Sequence, residues 1–229
     1  MSRRTEFLAN GTMRLALHTL ADSSGASDGS THPLLLLHGL GEQSPASRPA
    51  WTDAWPGAVL ALDFTGHGES DVPLGGGYMP ETLMADVDAV IARYGPVTIV
   101  GRGLGAWIAL LIAGARTASV RGVVLADGSG LAGGGPHPPS PYVTVLGPGD
   151  GRTPDPYALI ELSRDVRPPD YALDYLRFAL EESELETPVV VAARIRPDWL
   201  VAIAADVSVA EAPLVEAIGS FIDPQLANR

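Results

Sequence analysis

The residues whose spacing speaks of chemistry are three glycines. Val97-Thr98-Ile99-Val100 is an apolar run that breaks into Gly101-Arg102-Gly103-Leu104-Gly105 and then into a helical pattern. Gly-x-nucleophile-x-Gly is the spacing of a nucleophile elbow, a sharp strand-to-helix turn that lifts a serine above a sheet for acyl transfer. Here the central position is Gly103, which has no side chain and cannot attack a carbonyl. The turn keeps its backbone, however. Amides of Leu104 and Gly105 at a helix start, together with loop amides near Leu40, suit a carbonyl or carboxylate oxygen.

Acyl transfer also needs a histidine base and an acid that orients it. The five histidines are His18, His32, His38, His67 and His137, and none follows His137. His38 opens His38-Gly39-Leu40-Gly41, and His67 lies in Asp63-Phe64-Thr65-Gly66-His67-Gly68-Glu69-Ser70. For both, packing within the turn is the plainer reading. His18 and His32 read as remote, and His137, in a Gly/Pro-rich loop, as facing solvent. Asp127 ends an apolar run, at the strand end where α/β folds bind ligands. It either lines such a site or caps its own turn, and Asp63 reads as tying down its turn through backbone amides. No group of His, Asp and Glu has metal-ligand spacing, so neither metal nor cofactor is expected.

These residues must be positioned by alternating elements. Two apolar-alternating pieces within residues 4–20 flank Asn10-Gly11, a hairpin signal. Ser/Gly/Asp-rich residues 22–32 read as a loop. Continuous apolar runs at residues 33–37, 58–62, 97–100, 120–126 and 188–192 read as strands buried on both faces. Helices are expected from Pro80 to Tyr94, with Leu83, Val87, Val90 and Ile91 on one face, and from Leu104 to Ala115. Strands alternating with helices predict a mostly parallel sheet covered by helices. Residues 129–186 break the pattern with Gly/Pro runs and two short helices, near 157–163 and 170–182. The second carries Tyr171, Leu173, Tyr175, Leu176 and Phe178 on a wide apolar face. The expected organisation is a core of residues 1–128 and 187–229 with a small lid insertion at 129–186. Tyr142 and Tyr157 are candidate lid aromatics. Between the run at 188–192 and the tail there is too little chain for a full helix and parallel strand. Either residues 200–203 form an antiparallel strand, or residues 197–206 form a helix and an edge strand is lost. Residues 210–222 read as a closing amphipathic helix.

Taken in order, three motifs resemble the α/β-hydrolase superfamily. His38-Gly39 after a strand looks like its oxyanion loop, Asp63-x-x-Gly66-His67-Gly68-x-Ser70 like its turn before the first large helix, and Gly101-x-Gly103-x-Gly105 like its elbow. The likeness runs from about Phe7 to Gly130 and more loosely to the end. It implies the α/β-hydrolase fold with a shortened C-terminal part and a triad-less site. The base position falls near Asp206 and the acid position around residues 196–198. No catalytic residue is assigned. Gly39, Leu40, Gly103, Leu104 and Asp127 are the expected binding residues, with Leu40, Leu104 and Trp107 as apolar walls. The function expected is a non-hydrolytic pseudoenzyme that binds a small apolar or carbonyl-containing ligand or a partner. The alternative is an enzyme using Asp127, His38 or His67 for proton transfer.

Composition bounds the rest. A chain of 229 residues, 46% of them hydrophobic, can bury one large core. There is no cysteine, which excludes disulfides and thiolate chemistry. A net charge of -12 argues against nucleic acid or an anionic membrane surface as partner. All basic residues are arginine, a bias of high-GC bacterial genomes. No apolar h-region follows Arg3-Arg4, and no run approaches the ~18 residues that span a bilayer. A cytoplasmic protein is expected, with a homo-oligomer left open.

Overall fold

A computed structural model of the chain describes residues 3–23, 32–134 and 151–222. His137, Tyr142 and most of the Gly/Pro runs around them lie outside these residues, as does most of the loop expected at 22–32. In chain order the strands are β1 (Arg4–Asn10), β2 (Met13–Ala21), β3 (Leu34–Leu37), β4 (Val59–Leu62), β5 (Val97–Arg102), β6 (Val120–Ala126), β7 (Val189–Val191) and β8 (Ala210–Glu211). The helices are α1 (Pro80–Tyr94), α2 (Leu104–Ala115), α3 (Pro156–Arg164), α4 (Pro169–Glu181), α5 (Asp198–Ala204) and α6 (Leu214–Gly219).

The strands form one sheet in the order β1-β2-β4-β3-β5-β6-β7-β8. β1 and β2 pair antiparallel, as do β2 and β4, and every other neighbour is parallel. The first two strands join at Asn10-Gly11, with Asn10 opposite Met13. Gly11 supplies the positive φ of 59° that such a two-residue turn demands. The central strands are mostly leucine, valine and isoleucine because both their faces are buried.

Side chains alternate across a strand, so each run feeds two cores. Leu35, Leu37, Ile99, Val123, Leu125, Val189 and Val191 pack with α1, α2, α4 and α5. Leu34, Leu36, Val100, Val124 and Val190 face the other way, towards Trp55 and α6. The first face is covered by long helices. Among the described residues the second is covered by the six-residue α6 and a single 3-10 turn at Ala50–Thr52. That unequal cover decides where space is left in the molecule.

α1 buries Leu83, Val87 and Val90 as its spacing predicts, with Asp86 buried among them. α4 crosses α2 closely enough that a Cβ on Gly114 would lie 2.4 Å from the Tyr175 carbonyl oxygen. Its buried residues are Ala172, Leu176 and Ala179, in the same cluster as the sheet's first face. Tyr171, Leu173 and Phe178 stay substantially exposed, so α4 meets the core through Ala172, Leu176 and Ala179, with Tyr175 packed at its margin.

The C-terminal part corrects two expectations. Residues Asp198–Ala204 are helical, yet the edge strand is not lost. β8 survives as two residues parallel to β7, with Val190 opposite Ala210. The closing helix then begins at Leu214 behind Pro213 and not at residue 210. Among the described residues no helix is long and apolar enough to cross a membrane.

Candidate functional site

β5 delivers the chain into Gly103, which adopts φ 57° and ψ -117° before α2 starts. Few residues other than glycine occupy that region without strain, so the sharp elbow is intact. Its flanking glycines are there for close approach. A Cβ on Gly101 would lie 2.2 Å from the Gly105 carbonyl oxygen, and one on Gly105 would lie 2.6 Å from that of Leu37. Gly105 N-H also donates to the His38 carbonyl at 3.1 Å, which locks α2 onto the loop after β3.

Above the elbow the space is filled. A Cβ built on Gly103 would lie 2.1 Å from the Ser129 carbonyl oxygen and 2.5 Å from the Gly128 carbonyl carbon. The Ser129 carbonyl accepts from Leu40 N-H and from Leu104 N-H, both at 2.9 Å. Those are the two amides that an oxyanion hole of this design would offer. The chain's own peptide therefore occupies both amides over the elbow. Gly39, Leu40, Gly103 and Leu104 do come together as expected, but around Ser129.

A buried cation holds this plug in place. Arg167, between α3 and α4, is almost wholly buried. Its Nη1 donates to the carbonyls of Gly130 and Leu131, its Nε donates to Asp165 at 3.3 Å, and its guanidinium lies 5.4 Å from the Trp107 ring centroid. Trp199 Nε1 adds a second bond to the Leu131 carbonyl at 2.9 Å. Burial pulls the Arg167 pKa down to about 10, against the opposing pull of Asp165. Sequence reasoning found neither Ser129 nor Arg167. A carbonyl has no side-chain signature, and a lone arginine before two prolines carries no period.

The candidate proton-transfer groups have their hydrogen bonds committed to backbone. His38 Nε2 accepts from Phe64 N-H at 3.1 Å, which leaves Nδ1-H to donate to the Gly39 carbonyl at 2.8 Å. Burial pushes its pKa down. His67 Nε2 accepts from Gly41 N-H at 3.2 Å and Nδ1 donates to the Thr65 carbonyl at 3.2 Å. Burial and the neighbouring His38 ring lower it to about 4. Asp127 accepts from the amides of Arg194 and Ile195 at 2.9–3.0 Å. It ties β6 to the loop after β7, and these bonds hold its pKa low although burial opposes this.

His18, expected to be remote, is instead buried against Asp63, with Nε2 3.0 Å from Oδ2. Asp63 also accepts from the amides of Ser44 and Glu69, so it ties down its own turn as its position implied and joins that turn to two other segments. The loop after β8 carries Ala212-Pro213, whereas Asp206 precedes β8 and caps the Ser208 amide at 2.8 Å. Asp206 thus serves a turn before the last strand, and neither Ala212 nor Pro213 after it carries a titratable group. Among the described residues no cluster of three His, Cys, Asp or Glu could hold a metal.

The open space lies elsewhere. A cavity of about 910 Å³ sits at the C-terminal strand ends on the thinly covered second face, lined by Leu36, Val100 and Trp51 among others. Asp127 is the one expected binding residue on its wall, and Arg102 and Arg194 stand beside it.

The sequence pattern of the α/β hydrolase family matches residues 34–224. The chain belongs to that family. No curated protein matches it. Solved structures similar to it include a mutant epoxide hydrolase of Vigna radiata, at 17% identity over 55% of this chain and 38% of that one, with a TM-score of 0.44. Another is an α/β hydrolase from a Medee basin deep-sea metagenome library, at 18% identity over 53% and 43%, TM-score 0.45. A third is an α/β hydrolase of Novosphingobium aromaticivorans, at 24% identity over 54% and 44%, TM-score 0.43. The match thus spans less than half the length of each of these proteins.

Proposed function

We propose that this chain is a non-hydrolytic member of the α/β hydrolase family, kept for binding a small apolar or carbonyl-containing ligand and not for cleaving one. The observation that carries the non-hydrolytic half is the Ser129 carbonyl on the amides of Leu40 and Leu104, directly over Gly103, and the binding half rests on the cavity at the strand ends. A covalent route needs an attacking atom and donors for the oxyanion that forms. Gly103 supplies no atom, and both donors are already bonded. No histidine follows His137, and the loop after β8 offers Ala212-Pro213. Proton transfer by His38 or His67 is the weaker reading, since each ring already bonds backbone through both nitrogens.

The test is turnover of short p-nitrophenyl esters, together with labelling by a serine-directed fluorophosphonate. No label and no hydrolysis above the variant-independent background are expected. Donors and binding alone can leave a residual acceleration of roughly 10³ in triad-less enzymes, so slow turnover decides nothing by itself. A burst of acyl-enzyme, or stoichiometric labelling, would overturn the reading.

A further inference from the structure

The cavity on the second face has a chemistry of its own. Its floor is apolar, with Leu36 and Val100 from the sheet, and Trp51 and Leu214 form walls from the 3-10 turn and α6. Among the described residues that face carries only two short elements over its strands. A volume of about 910 Å³ lies within the roughly 300–1,000 Å³ of small-molecule sites. It also opens at the strand ends, where parallel sheets take ligands.

Its charges are unevenly committed. Three arginines and two carboxylates line it, and Glu42, 3.2 Å from Arg102, balances the third arginine. Both carboxylates are already bonded. Asp127 accepts from the Arg194 and Ile195 amides, and Glu211 accepts from Arg196 Nη2 at 2.6 Å. The other two arginines are each paired with one carboxylate but keep guanidinium donors to spare. Arg102 makes one hydrogen bond, Nη1 to Glu42 at 3.2 Å. The Arg194 guanidinium makes none and only stands 3.8 Å from Asp127. Guanidinium donors suit the planar oxygens of a carboxylate, and such charge-assisted bonds are about twice as strong as neutral ones.

We propose that this cavity binds a small monocarboxylate with an apolar body, the body against Val100, Leu36 and Trp51 and the carboxylate on Arg102 and Arg194. The inference rests on the binding role argued above. It differs in one respect: the cavity wall includes none of Gly39, Leu40, Gly103 and Leu104, and Ser129 does not move.

Calorimetric titration of the full chain with octanoate tests it, with acetate and 1-octanol as controls. Octanoate is expected to bind one to one, and acetate and 1-octanol at least tenfold more weakly. It should quench tryptophan emission, and Trp51→Phe should remove that response. Arg102→Gln with Arg194→Gln should weaken octanoate about tenfold, and Ala212→Trp, which fills the cavity from a loop, should abolish binding. If Ala212→Trp does not fold, the Trp51 response and the arginine pair still decide. The inference is overturned by no binding, by acetate or 1-octanol binding as well as octanoate, or by affinity indifferent to the arginines. Because binding is read without turnover, fluorophosphonate labelling would sink the non-hydrolytic reading alone, and failure of this panel would sink only the carboxylate site.

Discussion

At the scale of single residues, Gly103 and Arg167 belong to one device, the Ser129 carbonyl held on the amides of Leu40 and Leu104 over the elbow. The sequence announces half of it. Glycine at the elbow centre is legible because the spacing of Gly101 and Gly105 marks the turn. The occupant is not, because Ser129 acts through backbone that any residue could supply. The device makes Gly103→Ser a stability experiment. Its Cβ would meet the Ser129 carbonyl at 2.1 Å in a conformation with φ 57°. Strain of about 1–3 kcal/mol and overpacking of a similar size add, so a loss of about 3 kcal/mol in urea unfolding is expected, with no esterase activity gained. Wild-type stability with robust turnover would mean that Ser129 withdraws easily and that a base is within reach. Arg167→Met should cost about 1–3 kcal/mol, since it leaves the Gly130 carbonyl without its donor and the half-buried Asp165 unpaired, while the Leu131 carbonyl keeps Trp199. Amide exchange at Leu40 and Leu104 should accelerate in the same variant. If those two amides stayed as protected as in the wild type, Arg167 would not be what holds the plug.

At the scale of elements, apolar runs located the central strands and the α1 stripe well, since burial on both faces or on one face imposes a period. α4 was legible as a helix but not in its orientation. Large aromatics suggested the buried side, whereas helices that cross closely need small residues at the contact. Ala172, Ala179 and Gly114 meet that need and leave Tyr171 and Phe178 outside. β8 escaped notice because two residues are too short for any pattern. The crossing yields a test in which two effects oppose. Gly114→Ala should gain up to about 1 kcal/mol from helix propensity. The new methyl, however, would sit 2.4 Å from the Tyr175 carbonyl oxygen and 2.9 Å from its Cα. Both neighbours are backbone of a packed helix, so the clash prevails, and a net loss of about 1–2 kcal/mol is expected. A thermal melt that showed Gly114→Ala to be more stable would place α4 further from α2 than described.

At the scale of the molecule, buried titratable groups gathered around one turn should govern its response to acid. His67 has its pKa lowered from 6.5 to about 4, first by burial and then by the His38 ring, and burial lowers His38 as well. The unfolded chain takes up protons on both histidines from about pH 6.5 downward while the folded chain does not, so acidification favours unfolding. The window for His67 runs from 6.5 to about 4 and is worth at most about 3 kcal/mol. Asp86 acts in the opposite sense. Burial raises it to about 6, despite hydrogen bonds from Thr65 and Asn10. The folded state therefore binds its proton first, and stability is gained as pH falls from 6 towards 3.8. Asp63 is also opposed by burial, but hydrogen bonds from His18 and the amides of Glu69 and Ser44 hold it well below the usual carboxylate range. Its contribution is lost only below about 3.8. Two histidines against one aspartate leave a net loss on going from pH 7 to pH 4. His67→Gln, which removes one proton-binding site but can keep an acceptor for Gly41 N-H, should flatten that decline by up to about 3 kcal/mol. Urea unfolding of both proteins at pH 7, 5.5 and 4 measures it. Parallel curves would show that His67 is not excluded from solvent protons, and the closed, fully bonded turn beneath the elbow would have to be given up.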